Sequence, residues 1–592
     1  MTATSLAPDA VTTLLPQDPA LAFDRHWHAA WARLGGGLSP ISLGLAFADW
    51  AWHLASAPAT AAQLLTRAQS TAMEALLPPN AAGVLPDNGK TNGNGDARFA
   101  DPAWHQPPYD TMARLHHGAQ HWWDDATALR GMEPHHRELV NLFARQWLDM
   151  LSPSNWPWSN PQVLRATLDS RGENLARGAA RALDDWRRAQ GLQPLEDGGP
   201  EYRPGIEVAS TPGQVVHRNH LVELIQYDPV TPTVQREPVF IVPSWIMKFY
   251  ILDLSPHNSM VRYLVSQGHT VFMLSWRNPD EADALLDMAD YLQLGILDPL
   301  AAITRLTGGA PIHATGYCLG GTLLAIAAAA LARPGSVQGG DAIAPLKTIT
   351  LLAAQVDFRE PGELGILIDE AQVELLEDMM AERGFLTGKQ MAQSFQFLHA
   401  RDLIWSSRMR SYLLGEPDAP NDLMAWNADV TRMPAAMHSE YLHTLYLHND
   451  LAEGRYLVEG RPVHLDDIRA PLFVVGTVKD HVSPWHSVFK IQRLTHTDIS
   501  FVLTSGGHNA GIVSEPGHAG RKYQMQCLCK DDATLAADDW HRQAPRFEGS
   551  WWPAWHQWLE QAGSGRVKAR RVDPKAALAP APGTYVHVRY RE

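Results

Sequence analysis

The hexapeptide Gly316-Tyr317-Cys318-Leu319-Gly320-Gly321 joins an apolar run of strand character to a helix-forming stretch, Thr322 to Ala332. A strand that turns so sharply into a helix pushes its central residue outward, and the flanking glycines keep neighbouring side chains from colliding. That central residue is a thiol where most elbows of this kind carry a hydroxyl, which points toward thioester chemistry and away from ordinary ester hydrolysis. A cysteine nucleophile at neutral pH needs a base, and the usual base is a histidine steadied by a carboxylate. Two later loops supply them in the chain order nucleophile, acid, histidine. Asp480 lies in Gly476-Thr477-Val478-Lys479-Asp480-His481, and His508 lies in Ser505-Gly506-Gly507-His508-Asn509-Ala510-Gly511. Alone, Asp480 reads as a helix cap or turn carboxylate and His508 as a surface loop residue. Their order and their places at strand ends turn them, with Cys318, into a catalytic set. His481 competes as base, but adjacent residues at a strand end point apart.

The elements that must position these groups are short β-branched runs: Val239 to Val242, Thr270 to Ser275, Ile312 to Thr315, Thr348 to Leu352, Leu472 to Val475 and Ser500 to Leu503. Continuous apolar strands alternating with helical stretches signal a mostly parallel sheet covered on both faces, so the fold class is α/β. The segment 359–469 between the fourth and fifth runs is helical in pattern and reads as a lid inserted over the carboxyl edge of the sheet.

Ahead of the sheet, Phe23 to Leu77 carries apolar residues, among them Trp27, Trp31 and Trp50, at the spacing of two or three amphipathic helices. Pro78 to Gly95 has the composition of a linker, and the helical pattern resumes from Pro102 to about Gln190. The expected division is therefore 1–95 for the N-terminal helices and linker, 96–200 for a helical domain, 201–562 for the catalytic domain, and 563–592 for a solvated tail rich in Arg, Ala and Pro. The 21 tryptophans cluster, and packing is the simplest use for them.

Composition narrows the function. A formal net charge of −15 argues against nucleic-acid binding as the main task. Cys318, Cys527 and Cys529 are too few for a disulfide framework and suit a reducing compartment such as the cytoplasm. Neither a secretory signal nor a transmembrane segment is read, since the longest clean apolar stretch, Leu323 to Ala332, is about half of the roughly 20 residues a spanning helix needs. His117 and His121 share a helix face but lack a third ligand, Cys527-Leu528-Cys529 lacks a partner pair, and no phosphate-binding or dinucleotide fingerprint occurs, so neither metal nor cofactor is expected.

These motifs together resemble the polyhydroxyalkanoate synthases, particularly the class I type that polymerises short-chain 3-hydroxyacyl units. Besides Gly316 to Gly321, the similarity includes Ser275-Trp276-Arg277-Asn278-Pro279-Asp280, Tyr250 to Leu254 with Asn258-Ser259, and Asp480-His481 with Pro484-Trp485. It continues through His508-x-Ala510-Gly511 and Gly549-Ser550-Trp551-Trp552-Pro553, and Phe23 to Leu77 is similar to the family's accessory segment. The resemblance implies an α/β-hydrolase-like fold with Cys318 as acyl acceptor, His508 as general base and Asp480 as the triad carboxylate. It implies oxyanion donors from the backbone amides of Leu319 and, in the loop near Ser244, Trp245. It also implies (R)-3-hydroxyacyl-coenzyme A and a growing polyester chain as substrates with no resident cofactor, a cytoplasmic place at a polymer granule surface, and a homodimer. Two stretches depart from the family. Pro243-Ser244-Trp245-Ile246-Met247-Lys248 stands where many synthases read Pro-Pro-Cys-Ile-Asn-Lys, and Asn509 stands where an apolar residue is common. The competing readings are a thioesterase or polyester hydrolase, in which water replaces the acyl hydroxyl, and a granule protein without turnover; a long insertion that excludes water leans toward transfer.

Overall fold

The computed structural model describes residues 18–77, 96–193, 201–334, 343–388, 390–391, 397–398, 400–417, 421–573, 575 and 577–588. The expected linker, Pro78 to Gly95, lies outside them. The chain divides into two compact units, one of Met1–Leu34, Glu201–Lys389 and Asn421–Glu592, the other of Gly35–Pro200 and Gln390–Pro420.

The first unit is built on an 11-stranded sheet. Its strands are β1 (Gly213–Arg218), β2 (Val222–Tyr227), β3 (Val239–Val242), β4 (Val271–Trp276), β5 (Ile312–Tyr317), β6 (Leu346–Leu352), β7 (Leu472–Thr477), β8 (Ile499–Thr504), β9 (Lys522–Leu528), β10 (Arg546–Glu548) and β11 (Ala579–Pro580). They run in the order β10-β9-β8-β7-β6-β5-β3-β4-β2-β1-β11. From β4 to β8 the pairing is parallel, and the flanking strands are antiparallel. The parallel strands β3, β4, β5, β7 and β8 are buried along their whole length, because helices cover both faces of such a sheet. The helix Leu319–Ala332 is buried from Leu319 to Ala330, which explains why its sequence is apolar all round rather than striped.

Register brings the strand ends level. Tyr317 pairs with Leu352, Leu352 with Val475, and Thr477 with Thr504. The residues just beyond β5, β7 and β8 therefore emerge along one edge.

The second unit is helical, with Pro40–Ser56, Pro58–Leu76, Tyr109–Thr127, Pro134–Met150, Pro161–Asp169 and Glu173–Ala189. Phe99, Trp104 and Ala113 form a core cluster. The buried Arg98 reaches Asp96 at 2.6 Å and Asp149 at 2.9 Å, and Asp149 also meets Arg401 at 3.1 Å.

Three expectations need correction. The boundaries at 95 and 96 do not separate compact units: Pro19–Leu34 belongs with the sheet, where Ala29 and Ala32 pack against Leu375 and Met379, whereas the later helices of both expected segments form one unit. The insertion 359–469 is shared, with Gln390–Pro420 in the helical unit and the rest with the sheet. The described residues from 563 onward are not a solvated tail. Arg566–Lys568 pairs with Thr233–Gln235, and β11 pairs with β1. Glu223, fully buried, accepts hydrogen bonds from the amides of Thr584 at 2.8 Å and Tyr585 at 3.0 Å. Lys248, 2% exposed, donates to the carbonyls of Val588 at 2.8 Å and Tyr585 at 3.3 Å. The composition of this segment suggests solvent, but an unpaired sheet edge and two buried charges give it partners.

Candidate active site

Cys318 leaves β5 with φ 54° and ψ −128°, a backbone conformation that costs a residue bearing a side chain about 1–3 kcal/mol. Its surroundings hold it there. The Cys318 amide donates to the Leu352 carbonyl at 2.9 Å, and its own carbonyl accepts from the amides of Gly321 at 2.8 Å and Thr322 at 3.2 Å. The motif glycines are required by close approach: a Cβ at Gly316 would strike Gly321, one at Gly320 would strike the Val242 and Pro243 carbonyls, and one at Gly321 would strike Ala354. The same crowding presses the loop after β3 against the start of the Leu319–Ala332 helix.

Asp480 stands just beyond β7 and His508 just beyond β8, and the two side chains meet. His508 Nδ1 lies 2.9 Å from Asp480 Oδ2 and 3.1 Å from Oδ1. Asp480 also accepts from the amides of Ser483 at 2.7 Å and Val482 at 3.0 Å and from the Thr477 hydroxyl at 3.1 Å. With its side chain wholly enclosed, it is a fixed acceptor that holds Nδ1 and leaves Nε2 for Cys318, whose sulfur lies near enough to act on the charge of the imidazole. Burial alone would lower the His508 pKa, but the charges of Asp480 and Cys318 and the hydrogen bond to Asp480 outweigh it and hold the imidazole well above its ordinary value. His481 turns away toward Glu363, 3.2 Å distant.

The histidine loop is held at several points. Lys479 donates its amide to the Gly506 carbonyl at 2.9 Å, and the Gly511 amide closes onto Gly507 at 2.8 Å. The Trp551 indole donates to the Gly511 carbonyl at 3.1 Å, and the Trp552 indole to the Ile512 carbonyl at 3.0 Å.

Leu319 opens its helix, so its amide has no partner one turn earlier. Trp245 lies in the loop pressed against that helix and is 1% exposed. The carbonyls of this loop are engaged: Pro243 accepts from the Trp276 indole at 3.0 Å, Trp245 from the Thr431 hydroxyl, and Ile246 from the Thr431 amide at 3.1 Å. Met247 bridges to Val430, so the inserted segment lies against this loop.

Three tyrosines near the thiol were not anticipated. Tyr441 and Tyr446 pack edge to face with ring centroids 5.4 Å apart and, like Tyr317, lie close enough for their phenols to feel the charge of Cys318. Burial is the main cause that raises all three pKa values, so these phenols stay neutral. The Trp245 ring packs 6.2 Å from Tyr441 and 5.8 Å from Tyr291, making an aromatic wall. Cys527 and Cys529 play no part in this cluster; both are exposed, with their sulfurs 3.9 Å apart.

Comparison with known proteins places the chain in a family. Residues 95–264 match the family model described as Poly-beta-hydroxybutyrate polymerase (PhaC) N-terminus, residues 18–59 match Poly-beta-hydroxybutyrate polymerase N terminal, and residues 237–515 match the alpha/beta hydrolase fold. The chain is 40% identical over 499 residues to a poly(3-hydroxyalkanoate) polymerase of Methylorubrum extorquens, covering 83% of this chain and 81% of the relative. It is 38% identical over 499 residues to the polymerase subunit of Rhizobium etli, covering 83% and 77%. With the polymerase subunit of Cupriavidus necator it shares 32% identity over 589 residues, covering 97% of this chain and 96% of the relative. On this similarity, and with an alpha/beta hydrolase sheet carrying Cys318, Asp480 and His508 on one edge, the chain belongs to the poly(3-hydroxyalkanoate) polymerase family.

Proposed function

We propose that this protein polymerises (R)-3-hydroxyacyl units from coenzyme A thioesters into a polyester, with release of coenzyme A, through an acyl-Cys318 intermediate. The observation that carries the reading is the bond of His508 to the enclosed carboxylate of Asp480 beside the strained thiol of Cys318. His508 takes the Cys318 proton and the thiolate attacks the thioester carbonyl. The C–S bond to coenzyme A breaks, and His508 returns the proton to the departing thiolate. Exchange of one thioester for another is nearly neutral in free energy. The 3-hydroxyl of an acyl unit then attacks acyl-cysteine, His508 takes the hydroxyl proton, and an oxoester forms as Cys318 is released. The enclosure of Asp480 among its donors favours a role in orienting His508 over direct attack on the hydroxyl proton.

At each attack an oxyanion forms, and the amides of Leu319 and Trp245 are its donors in this reading. No resident cofactor is needed, because coenzyme A enters and leaves with the substrate. A water-insoluble polyester accumulates where it is made, which supports a place at the surface of a polymer granule; the cytoplasmic location and the homodimer rest on the resemblance to the family.

Incubation with (R)-3-hydroxybutyryl-coenzyme A, following free thiol and insoluble polymer together, tests the reading. Both are expected to appear, and Cys318→Ala abolishes both. Thiol release without polymer would identify a hydrolase instead, and no release across a range of acyl lengths would leave a protein without turnover.

A further inference from the structure

The residue before the nucleophile is tied to the residue after the histidine: the Tyr317 hydroxyl donates to Asn509 Oδ1 at 2.5 Å. Other bonds of the histidine loop reach Asp480 and Lys479, beyond β7, Lys522 on β9, and the indoles of Trp551 and Trp552. The bond to Tyr317 sets the loop against β5, the strand that carries the thiol. Asn509 is well placed to transmit this, since its own carbonyl accepts from the amides of Ile512 at 3.1 Å and Val513 at 2.9 Å and so begins a compact turn. Tyr317 is 1% exposed, and its ring lies 5.6 Å from the His508 imidazole with the planes 36° apart.

We propose that Tyr317 and Asn509 are a positioning pair that fixes the imidazole against the thiol for transfer of the proton from Cys318 Sγ to His508 Nε2. The aromatic face of Tyr317 adds electrostatic support to the imidazolium formed by that transfer. The proposal rests on the reading of Cys318 as nucleophile and His508 as base. Burial, with the nearby charges of Cys318 and Asp480, keeps the phenol protonated while the imidazole titrates, so the bond is not lost in the working pH range. Removing either partner alone strands the other's polar atom, whereas replacing both with apolar groups does not. The pair is thus expected to behave non-additively.

The test is site-resolved alkylation of Cys318 by iodoacetamide, followed by mass spectrometry across pH, in a Cys527→Ser, Cys529→Ser background. Tyr317→Phe and Asn509→Leu are each expected to slow alkylation near pH 7 by about tenfold and to move its acid limb to higher pH. The double variant is expected to lose less than the product of the two single losses. Asn509→Asp, which keeps an acceptor for the hydroxyl, is expected to recover most of the rate lost in Asn509→Leu. In turnover, kcat falls in the single variants while KM stays near the parent value. Parental alkylation rates and an unmoved acid limb in Tyr317→Phe, a near-isosteric change that preserves the fold, would overturn the proposal, as would strictly multiplicative losses. Alkylation needs no acyl substrate, so a failure of the polymerase reading leaves this result interpretable. Polymer formation by the parent with unaltered alkylation in the variants would sink the pair alone.

Discussion

Two helices of the sheet-bearing unit carry aromatic residues four apart and treat them in opposite ways. At Trp552–Ala562, the residues Trp551, Trp552, Trp555 and Leu559 are 0–1% exposed. Their indoles are bonded to the Gly511 and Ile512 carbonyls and, from Trp555, to the Thr350 hydroxyl at 2.9 Å. At Pro19–Leu34, Phe23, Trp27 and Trp31 lie in a row with ring centroids 6.4 and 6.3 Å apart, yet they are 67%, 55% and 49% exposed. The buried face there is Ala29 and Ala32, with an ion pair from Arg33 to Glu382 at 2.8 Å and a hydrogen bond between His28 Nδ1 and Asp378 at 2.7 Å beside it. Periodicity thus reports that a helix has two faces without saying which is inside. Small residues admit a close neighbouring helix, whereas an indole is buried to advantage only where its N–H finds an acceptor. In the later helix two of those three acceptors, Gly511 and Ile512, close the histidine loop, so core packing and the placement of His508 share contacts.

The sharpest way to break this contrast is Trp551→Ala, which opens a cavity and frees the Gly511 carbonyl. It is expected to cost about 3–5 kcal/mol by urea denaturation and to lower the rate of coenzyme A release as well. Ala32→Leu forces extra volume into the helix contact with Leu375 and Met379 and is expected to cost about 1–3 kcal/mol. Its kcat at temperatures where the protein is folded should match the parent, because that contact touches no residue of the site. Trp552→Phe exchanges the buried indole for a smaller ring and loses the bond to Ile512, for about 1–3 kcal/mol, and should reduce kcat where Ala32→Leu does not. Trp27→Ser, on the exposed row, is expected to stay within about 0.5 kcal/mol of the parent. A loss at Trp27 as large as that at Trp552 would erase the distinction between the two helices.

The same physics decides what was legible before the fold was known. The six apolar runs correspond to β3 through β8 because strands covered on both faces leave no polar alternation to confuse the pattern. The strands β1, β2 and β9 went unread. β9, Lys-Tyr-Gln-Met-Gln-Cys-Leu, is half exposed and carries few apolar residues, and β1 is likewise partly exposed. The elbow, Asp480 and His508 were legible because each follows directly from a recognisable strand, and the structure brings the latter two into contact at 2.9 Å. Tyr441 and Tyr446 were not, because they belong to an inserted segment whose nearness to Cys318 depends on the path of the chain and on no local pattern. Asn509 drew notice as a polar residue in an apolar family position, but its partner Tyr317 sits inside the elbow motif, where attention falls on the glycines and the thiol.

The segment that covers β1 has a consequence for how the molecule is made. Glu223 receives Thr584 from 361 positions further along the chain, and Lys248 receives the Tyr585 and Val588 carbonyls from comparable distances. Until residues 579–588 have been synthesised, β1 is an open sheet edge, Glu223 keeps its ion pair with Arg218 but lacks the amides of Thr584 and Tyr585, and Lys248 lacks its two carbonyl acceptors. A translation product that stops short of them keeps every residue of the Cys318, Asp480 and His508 cluster and yet carries an adhesive edge, a carboxylate with unfilled acceptor sites and an ammonium without its acceptors. The fold thereby contains its own check on completeness, one that exposes an interrupted chain to aggregation and proteolysis.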